Sequence, residues 1–465
     1  MQLVSFLTRE LGDMSYLLAS GEHAVIVDPQ RDIGPVLGAV RASGLHITHI
    51  VETHVHNDYV SGALELRAVT EAAIAGPARA GYAFPFEPLA EGDELSPGTL
   101  RMVAAETPGH TPEHLSYLVY EGDADEPTAV FTGGSLIVGS AGRTDLLGPE
   151  ATLELTRAQH RSLLRLSALP DETLVLPTHG AGSFCSSAPP GEERTSTIGR
   201  ERASNPVLAE RDLDEETFVE RRLAGLLAYP SYYAHIAPIN RAGPRVYGDV
   251  PVPPGLTPSQ LGERIEAGAW VVDGRDRRAF AAAHVPGSIA IELDDSFASY
   301  VGWIVPFGAP IVLVLPEGRQ EQEAALEAAT QLFRIGYEAV DGYLQGGVDA
   351  WVEAGRPVRS HPVSSVDELA TALGEERARV LDVRQQTEWD GGHIVGSTHV
   401  FIGDLGAHIG EIPRDREVWT VCASGHRAAM AASILDRDGI PARVVTPGGV
   451  PDVLARASAD RQGAE

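Results

Sequence analysis

Residues 418–435 read Val-Trp-Thr-Val-Cys-Ala-Ser-Gly-His-Arg-Ala-Ala-Met-Ala-Ala-Ser-Ile-Leu. The apolar run Val418 to Val421 predicts a buried strand, and the small-residue run from Arg427 predicts a helix. Cys422 to Arg427 form the loop that joins them. A thiol at the head of such a loop faces successive backbone N–H groups and a helix N-terminus. That setting holds an anion and lowers a thiol pKa from about 8.5 towards neutrality. The chain has one other cysteine, Cys185, so a disulfide framework is not its purpose.

Outward from this loop lies a repeat. Asp273-Gly-Arg275, Phe280 and His284-Val-Pro-Gly287 return at constant spacing as Asp382-Val-Arg384, Trp389 and His393-Ile-Val-Gly396. Each copy opens on a strand-like run (Trp270-Val-Val, Val380-Leu). Each continues with a second (Ile311-Val-Leu-Val-Leu, Val418-Trp-Thr-Val) and closes on Gly-Gly-Val at 346–348 and 448–450. Strands alternating with helices predict α/β units with parallel sheets. The earlier copy carries Leu315-Pro-Glu-Gly-Arg319 where the later one has its thiol loop, so we read it as a structural or docking domain.

The N-terminal part differs. Short strand-like runs (Ala24-Val-Ile-Val, His49-Ile-Val-Glu, Ala129-Val-Phe-Thr, Leu174-Val-Leu) alternate with turns and a few helices. A polar, Pro-rich connector runs from Ser186 to Pro254. We place domains at 1–248, 249–360 and 361–465, in line with the three or so domains that 465 residues suggest. A composition of 43% hydrophobic and 22% charged residues is that of a globular protein. The formal net charge of −29 argues against nucleic acid or an anionic membrane as partner, since both need basic surface. We find no signal peptide at Met1 to Glu10 and no run long enough to span a bilayer. Two cysteines in so long a chain fit a reducing cytoplasm. Monomer or homo-oligomer is left open.

A second constellation is rich in histidine. Thr53-His-Val-His-Asn-Asp-Tyr59 follows a strand-like run, and His54 and His56 with Asp58 close behind suit a metal on a loop. Then come Thr107-Pro-Gly-His110, Phe131-Thr-Gly-Gly-Ser135, Gly142-Arg-Thr-Asp145 and Pro177-Thr-His179-Gly.

The thiol loop ending in Arg427, with the Asp-x-Arg and His-x-x-Gly runs, resembles the rhodanese family of sulfurtransferases over roughly 250–460. The resemblance implies that Cys422 is a nucleophile that takes a sulfane sulfur as a persulfide and hands it on. The N–H groups of Ala423, Ser424, Gly425, His426 and Arg427 would cradle the outer sulfur, and Arg427 would add positive charge. Asp382 and Arg384 would brace the loop.

The histidine motifs in their order resemble the metallo-β-lactamase superfamily over about 1–245. They are most similar to its persulfide dioxygenases, on Gly142-Arg-Thr-Asp145 and Gly180-Ala-Gly-Ser-Phe-Cys185. The fold implied is α/β: an αββα sandwich, then two rhodanese domains with parallel sheets. Two departures stand out. The family's His-x-His-x-Asp-His ends here in Tyr59, and its Thr-Gly-Asp ligand is Gly134. A second metal would keep only Asp58 and His179, so we expect one ion held by His54, His56 and His110, Fe(II) ahead of Zn(II). A Gly134→Asp change that restored iron binding and oxygen uptake would mark the site as decayed. Asp28 would orient the His54 loop, and Arg143, Asp145 and Tyr59 would shape a substrate pocket. Cys185 is either a thiol at the mouth of the metal site or a plain buried residue.

Three functions stay open. One is oxidation of a low-molecular-weight thiol persulfide by O2 to sulfite, coupled to sulfur transfer by Cys422 among persulfide, sulfite and thiosulfate. Another is a sulfurtransferase or persulfide carrier with a degenerate metal site. The third is a mononuclear zinc thioester hydrolase.

Overall fold

The computed structural model describes residues 1–180, 182–185 and 193–462. Residues 186–192 of the Pro-rich connector and Ala181 of the Gly180–Cys185 run therefore lie outside the described residues. The chain divides into two compact units, Met1–Val250 with Phe333–Gly336, and Pro251–Leu332 with Tyr337–Glu465.

The first unit holds two six-stranded sheets. One runs Gln2–Thr8, Asp13–Ser20, His23–Val27, His46–Val51, Ala73–Pro77 and Glu87–Leu89, antiparallel for the first three strands and parallel from there. The other runs Ser196–Thr197, Leu174–Pro177, Ala129–Gly133, Leu115–Glu121, Leu100–Glu106 and Glu94–Leu95. The strand Asp13–Ser20 shows how the layers follow from sequence. Side chains alternate in direction along a strand. Met14, Tyr16 and Leu18 therefore enter the core between the sheets, where the Tyr16 and Phe131 rings meet at 5.4 Å. Leu17 and Ala19 enter a separate core under the helices Gly34–Ser43 and Ala63–Thr70. A strand buried on both faces needs apolar residues at successive positions, and this one has them. The second sheet packs its outer face on Leu163, Leu166, Leu208 and Phe218 of further helices, which completes the αββα sandwich.

The second unit holds the two repeat copies, each with a five-stranded parallel sheet. The order is the same in both. Gly255–Leu256, Val340–Leu344, Ile311–Val314, Trp270–Asp273 and Ile289–Ala290 correspond to Val363–Ser364, Ala442–Val445, Val418–Val421, Arg379–Asp382 and Thr398–His399. The α/β class and the parallel sheets are as the sequence predicts. The repeated Asp-x-Arg motif has one job in both copies. Arg275 grips Asp273 (Nε to Oδ1 2.9 Å, Nη2 to Oδ2 2.7 Å) and donates to the Ala283 carbonyl. Arg384 does the same to Asp382 and the Gly392 carbonyl. The motif ties the strand end to the loop ahead of the His-x-x-Gly run. Among the described residues no helix is long and apolar enough to cross a membrane.

Candidate functional site

In the first unit, strand ends deliver the chemistry. Asp28 follows His23–Val27, His54 follows His46–Val51, His110 follows Leu100–Glu106, Gly134 follows Ala129–Gly133, and His179 follows Leu174–Pro177. Asp28 is the fastener. Its backbone takes φ 49°, and its carboxylate accepts Thr53 N–H and Thr53 Oγ1, each at 2.7 Å, together with the hydroxyl of Thr178. One buried carboxylate thus holds the loops of both His54 and His179.

Each imidazole is braced on one nitrogen. His110 Nδ1 donates to the Arg143 carbonyl at 2.8 Å. His179 Nδ1 meets Asp13 at 2.9 Å and Asp58 at 3.2 Å. The Thr53 hydroxyl donates to Asp28, so it accepts from His54 Nδ1 at 2.8 Å. With each Nδ1 proton engaged in this way, the neutral form of each ring presents a lone pair on Nε2. His54 Nε2 and His179 Nε2 lie 3.2 Å apart. Two lone pairs at that distance repel unless a cation or a proton lies between them. His110 Nε2, His56 Nδ1 and Asp58 Oδ1 are buried without a hydrogen-bond partner. These orphaned atoms and the converging lone pairs fit a metal ion.

The ligand grouping differs from the expected trio. His54, His110 and His179 offer atoms within 4.8 Å of one another; so do His56, Asp58 and His179, and Asp28, His54 and His56. His179 takes the third place expected for His56, and the second group has three members where two were expected. His56 Nε2 is taken up by Glu52 (3.1 Å), Asp28 (3.3 Å) and Tyr59 Oη (3.0 Å). Burial pushes His54 far below its usual pKa. Burial, then His179, pushes His110 down to about 3, so both rings are neutral. Burial opposes charge on His179, but Asp58 and Asp13 outweigh it and push its pKa up to about 10, so a proton on its Nε2 faces His54 Nε2 wherever a metal ion does not take that place. Burial and then Asp58 push Asp13 up to about 7.

Other expected residues fall behind the centre. Tyr59 is fully buried, stacked on His56 with ring centroids 4.3 Å apart, and supports that ring instead of lining a pocket. Arg143 clamps Asp145 (2.6 and 2.7 Å) and donates to the carbonyls of Phe184 and Leu227. These two residues brace the backbone that holds His110. Cys185 is fully buried, 4.0 Å from Tyr233 Oη, and burial pushes its thiol up. It is the buried residue of the two readings, not a thiol at a mouth.

Position 134 has no room for a side chain. A Cβ there would lie 2.2 Å from His110 Cδ2. The ring occupies the space that a carboxylate would need. His114, which sequence reasoning passed over, accepts the Gly134 N–H at 3.0 Å and stacks on His54 at 5.0 Å. Gly134→Asp is therefore expected to evict His110 and destabilise the unit by about 3 kcal/mol, roughly 10 °C in melting midpoint, instead of restoring a site. Calorimetry and metal analysis of the variant check this; an unchanged midpoint with added metal would refute it.

In the second unit Cys422 sits between the strand Val418–Val421 and the helix His426–Arg437, with 1% of its surface exposed. Gly425 N–H donates to its Sγ at 3.1 Å. Gly425 has φ 96°, and a Cβ there would lie 2.4 Å from Thr446 Oγ1, so only glycine suits the position. Ala423, Ser424 and His426 complete the loop. Arg427 does not stand free beside the sulfur. It grips Glu388 with two hydrogen bonds, 2.6 and 2.8 Å, which offset its charge. Burial opposes charge on Glu388, but Arg427, with the Gln385 N–H and Arg384, outweighs it and holds the carboxyl below its usual pKa. The thiol-free copy also reaches this loop. Arg277 donates to the Ser424 carbonyl at 3.3 Å, and Tyr300 meets the His426 ring edge-on at 5.4 Å. Neither residue carries a sequence motif.

Two family models match the chain: Metallo-beta-lactamase superfamily over residues 9–179, and Rhodanese-like domain over residues 257–354 and 365–455. A hydroxyacylglutathione hydrolase of Cereibacter sphaeroides is 38% identical over 163 residues, 34% of this chain and 58% of that protein. One of Methylobacterium nodulans is 32% identical over 202 residues, 38% of this chain and 74% of that protein. The chain thus spans 58% of the length of the first curated relatives it matches. A solved metallo-beta-lactamase of Staphylococcus aureus subsp. aureus COL aligns with TM-score 0.65 and 28% identity, over 74% of this chain and 98% of that one.

Proposed function

The chain belongs to the metallo-beta-lactamase superfamily by its N-terminal domain and continues into two rhodanese-like domains, and from that premise we propose that it oxidises a low-molecular-weight thiol persulfide with O2 and transfers sulfane sulfur at Cys422. The observation that carries this reading is the Gly425 N–H on Cys422 Sγ at the head of a helix, an arrangement that favours a sulfur anion. The thiolate attacks the outer sulfur of a persulfide RSSH. The new S–S bond forms as the old one breaks, RS⁻ leaves and takes up the persulfide proton, and Cys422–S–S⁻ remains. Sulfite can then take that sulfur as thiosulfate and return the thiolate.

In the other domain the balance is RSSH + O2 + H2O → RSH + SO3²⁻ + 2H⁺. A metal ion held by His54, His110 and His179, Fe(II) ahead of Zn(II), would supply Lewis acidity to the outer sulfur and activation of O2. The chain's own residues set the stage. Asp13 and Asp58 fix the His179 tautomer, the Arg143 carbonyl fixes that of His110, and Asp28 holds two of the three loops. Burial keeps bulk water from the imidazoles. With iron-loaded protein and glutathione persulfide, one O2 is expected to disappear per sulfite formed. Oxygen-electrode traces with no uptake, alongside persistent thiosulfate sulfurtransfer, would remove the oxidation half.

The names of the curated relatives favour a second reading, thioester hydrolysis, and the group His56, Asp58 and His179 beside the first trio gives it ligands. Hydrolysis of an acyl-glutathione by zinc-loaded protein, without persulfide turnover, would select it.

A further inference from the structure

We propose that Arg277, from the repeat copy that lacks a thiol, is a positioning residue for Cys422: it holds the peptide unit between Ser424 and Gly425 so that its N–H aims at the sulfur. The two ends of this one unit carry the inference. Its carbonyl, on Ser424, accepts Arg277 Nη1 at 3.3 Å. Its N–H, on Gly425, donates to Cys422 Sγ at 3.1 Å. In a planar trans peptide the C=O and N–H point in opposite directions. A donor fixed behind the carbonyl therefore fixes where the N–H points. A cation at the carbonyl also polarises the peptide and strengthens its N–H as a donor.

The loop does not fix this orientation alone. Glycine has access to both signs of φ, so a peptide that precedes it can flip at little cost. Arg277 is itself held still. Its Nε and Nη2 grip the Glu292 carboxylate at 2.6 and 2.8 Å, and its backbone N–H adds a third bond to Glu292 at 2.8 Å. Those bonds to Glu292 foremost, and Cys422 among the surrounding charges, hold the guanidinium above its usual pKa. At the spacing of the repeat, the later copy has Gln386 in place of Arg277. The charge is thus particular to the copy that has no thiol of its own to serve.

The inference rests on reading Cys422 as a sulfur-accepting thiolate. When it takes sulfur from thiosulfate, the Cys422 S–S bond forms, the donor's S–S bond breaks, and sulfite leaves with the electron pair. The Gly425 N–H then faces the Cys422 sulfur of a charged persulfide.

The test uses full-length Arg277→Met, Arg277→Lys and Glu292→Gln. Alkylation of Cys422 by iodoacetamide is followed across pH by mass spectrometry of its peptide, alongside kcat and KM for thiosulfate. Arg277→Met is expected to raise the alkylation midpoint by about one pH unit, a tenfold loss of thiolate at lower pH. Its kcat should fall about tenfold with KM within about twofold, as expected when the nucleophile and not ground-state binding is affected. Arg277→Lys should recover most of the shift, and Glu292→Gln should give an intermediate one. An unchanged midpoint in folded Arg277→Met overturns the inference. Should that variant fail to fold, an unchanged midpoint in Glu292→Gln does so. If wild-type protein takes no sulfur from thiosulfate, the sulfurtransfer reading fails, and the midpoints still decide the role of Arg277.

Discussion

Cys422→Ser is expected to abolish sulfur uptake, with thiosulfate sulfurtransfer falling on the order of a thousandfold or more, because an alcohol is a far weaker nucleophile and cannot form a persulfide. The change is small in volume, and serine can accept the same Gly425 N–H, so the fold should stand. Mass spectrometry after thiosulfate treatment provides the direct readout. Wild-type protein should gain about 32 Da on the Cys422 peptide, one sulfur atom, and the variant none. Persulfide-dependent O2 uptake should survive, because that chemistry is assigned to the histidines of the first unit. A variant that still gains sulfur at this peptide would remove Cys422 from the mechanism. Added mass on Cys185 instead would move the chemistry to a thiol that is fully buried.

The second large effect concerns His179. His179→Gln is expected to cut bound metal from about one ion per chain to less than about a tenth, since a site with open positions rests on three protein ligands. Glutamine is close to histidine in volume and keeps an N–H for Asp13 and Asp58. Alanine would leave two buried carboxylates unpaired, a loss of about 3–5 kcal/mol that would blur binding with unfolding. His56→Gln is the control. In the His54–His110–His179 grouping it should keep most of the metal. If His56→Gln strips the ion and His179→Gln spares it, the trio expected from the sequence is the correct one. Metal analysis of freshly purified variants, with thermal melts alongside, settles the order.

The two variants also show which parts of the molecule are legible in its sequence. The thiol loop and the strand-like runs of the repeat are readable because each is local, while the order of the strands in the sheets is not. An apolar run, a turn of small residues and a helix follow one another within the stretch 418–435. The His54–His56 motif is local too, and it shows only part of the cluster. A spacing of two suggests two ligands to one ion, whereas the structure gives His56 Nε2 to Glu52 and Asp28 and brings in His179, 125 residues from His54. That meeting depends on the two sheets packing face to face, which no spacing records. Asp13 is further still, 166 residues from His179, and nothing next to it in the chain marks it. His114 lies four residues past His110, and its role appears only where Gly134 meets it. Arg277 is legible from neither end, because its partner is the carbonyl of a residue in the other copy.

The ring of His110 lies where a side chain at position 134 would stand. This has an evolutionary consequence. Descent from an ancestor with a carboxylate there would require two changes, the loss of the acid and the settling of the imidazole into the gap. Reversal by one substitution needs the ring to withdraw as well, and that costs stability. A lineage that has made both changes must tune its metal chemistry through the neighbours of the histidines, and a search for revertants should recover second mutations around His110 before any acid at 134.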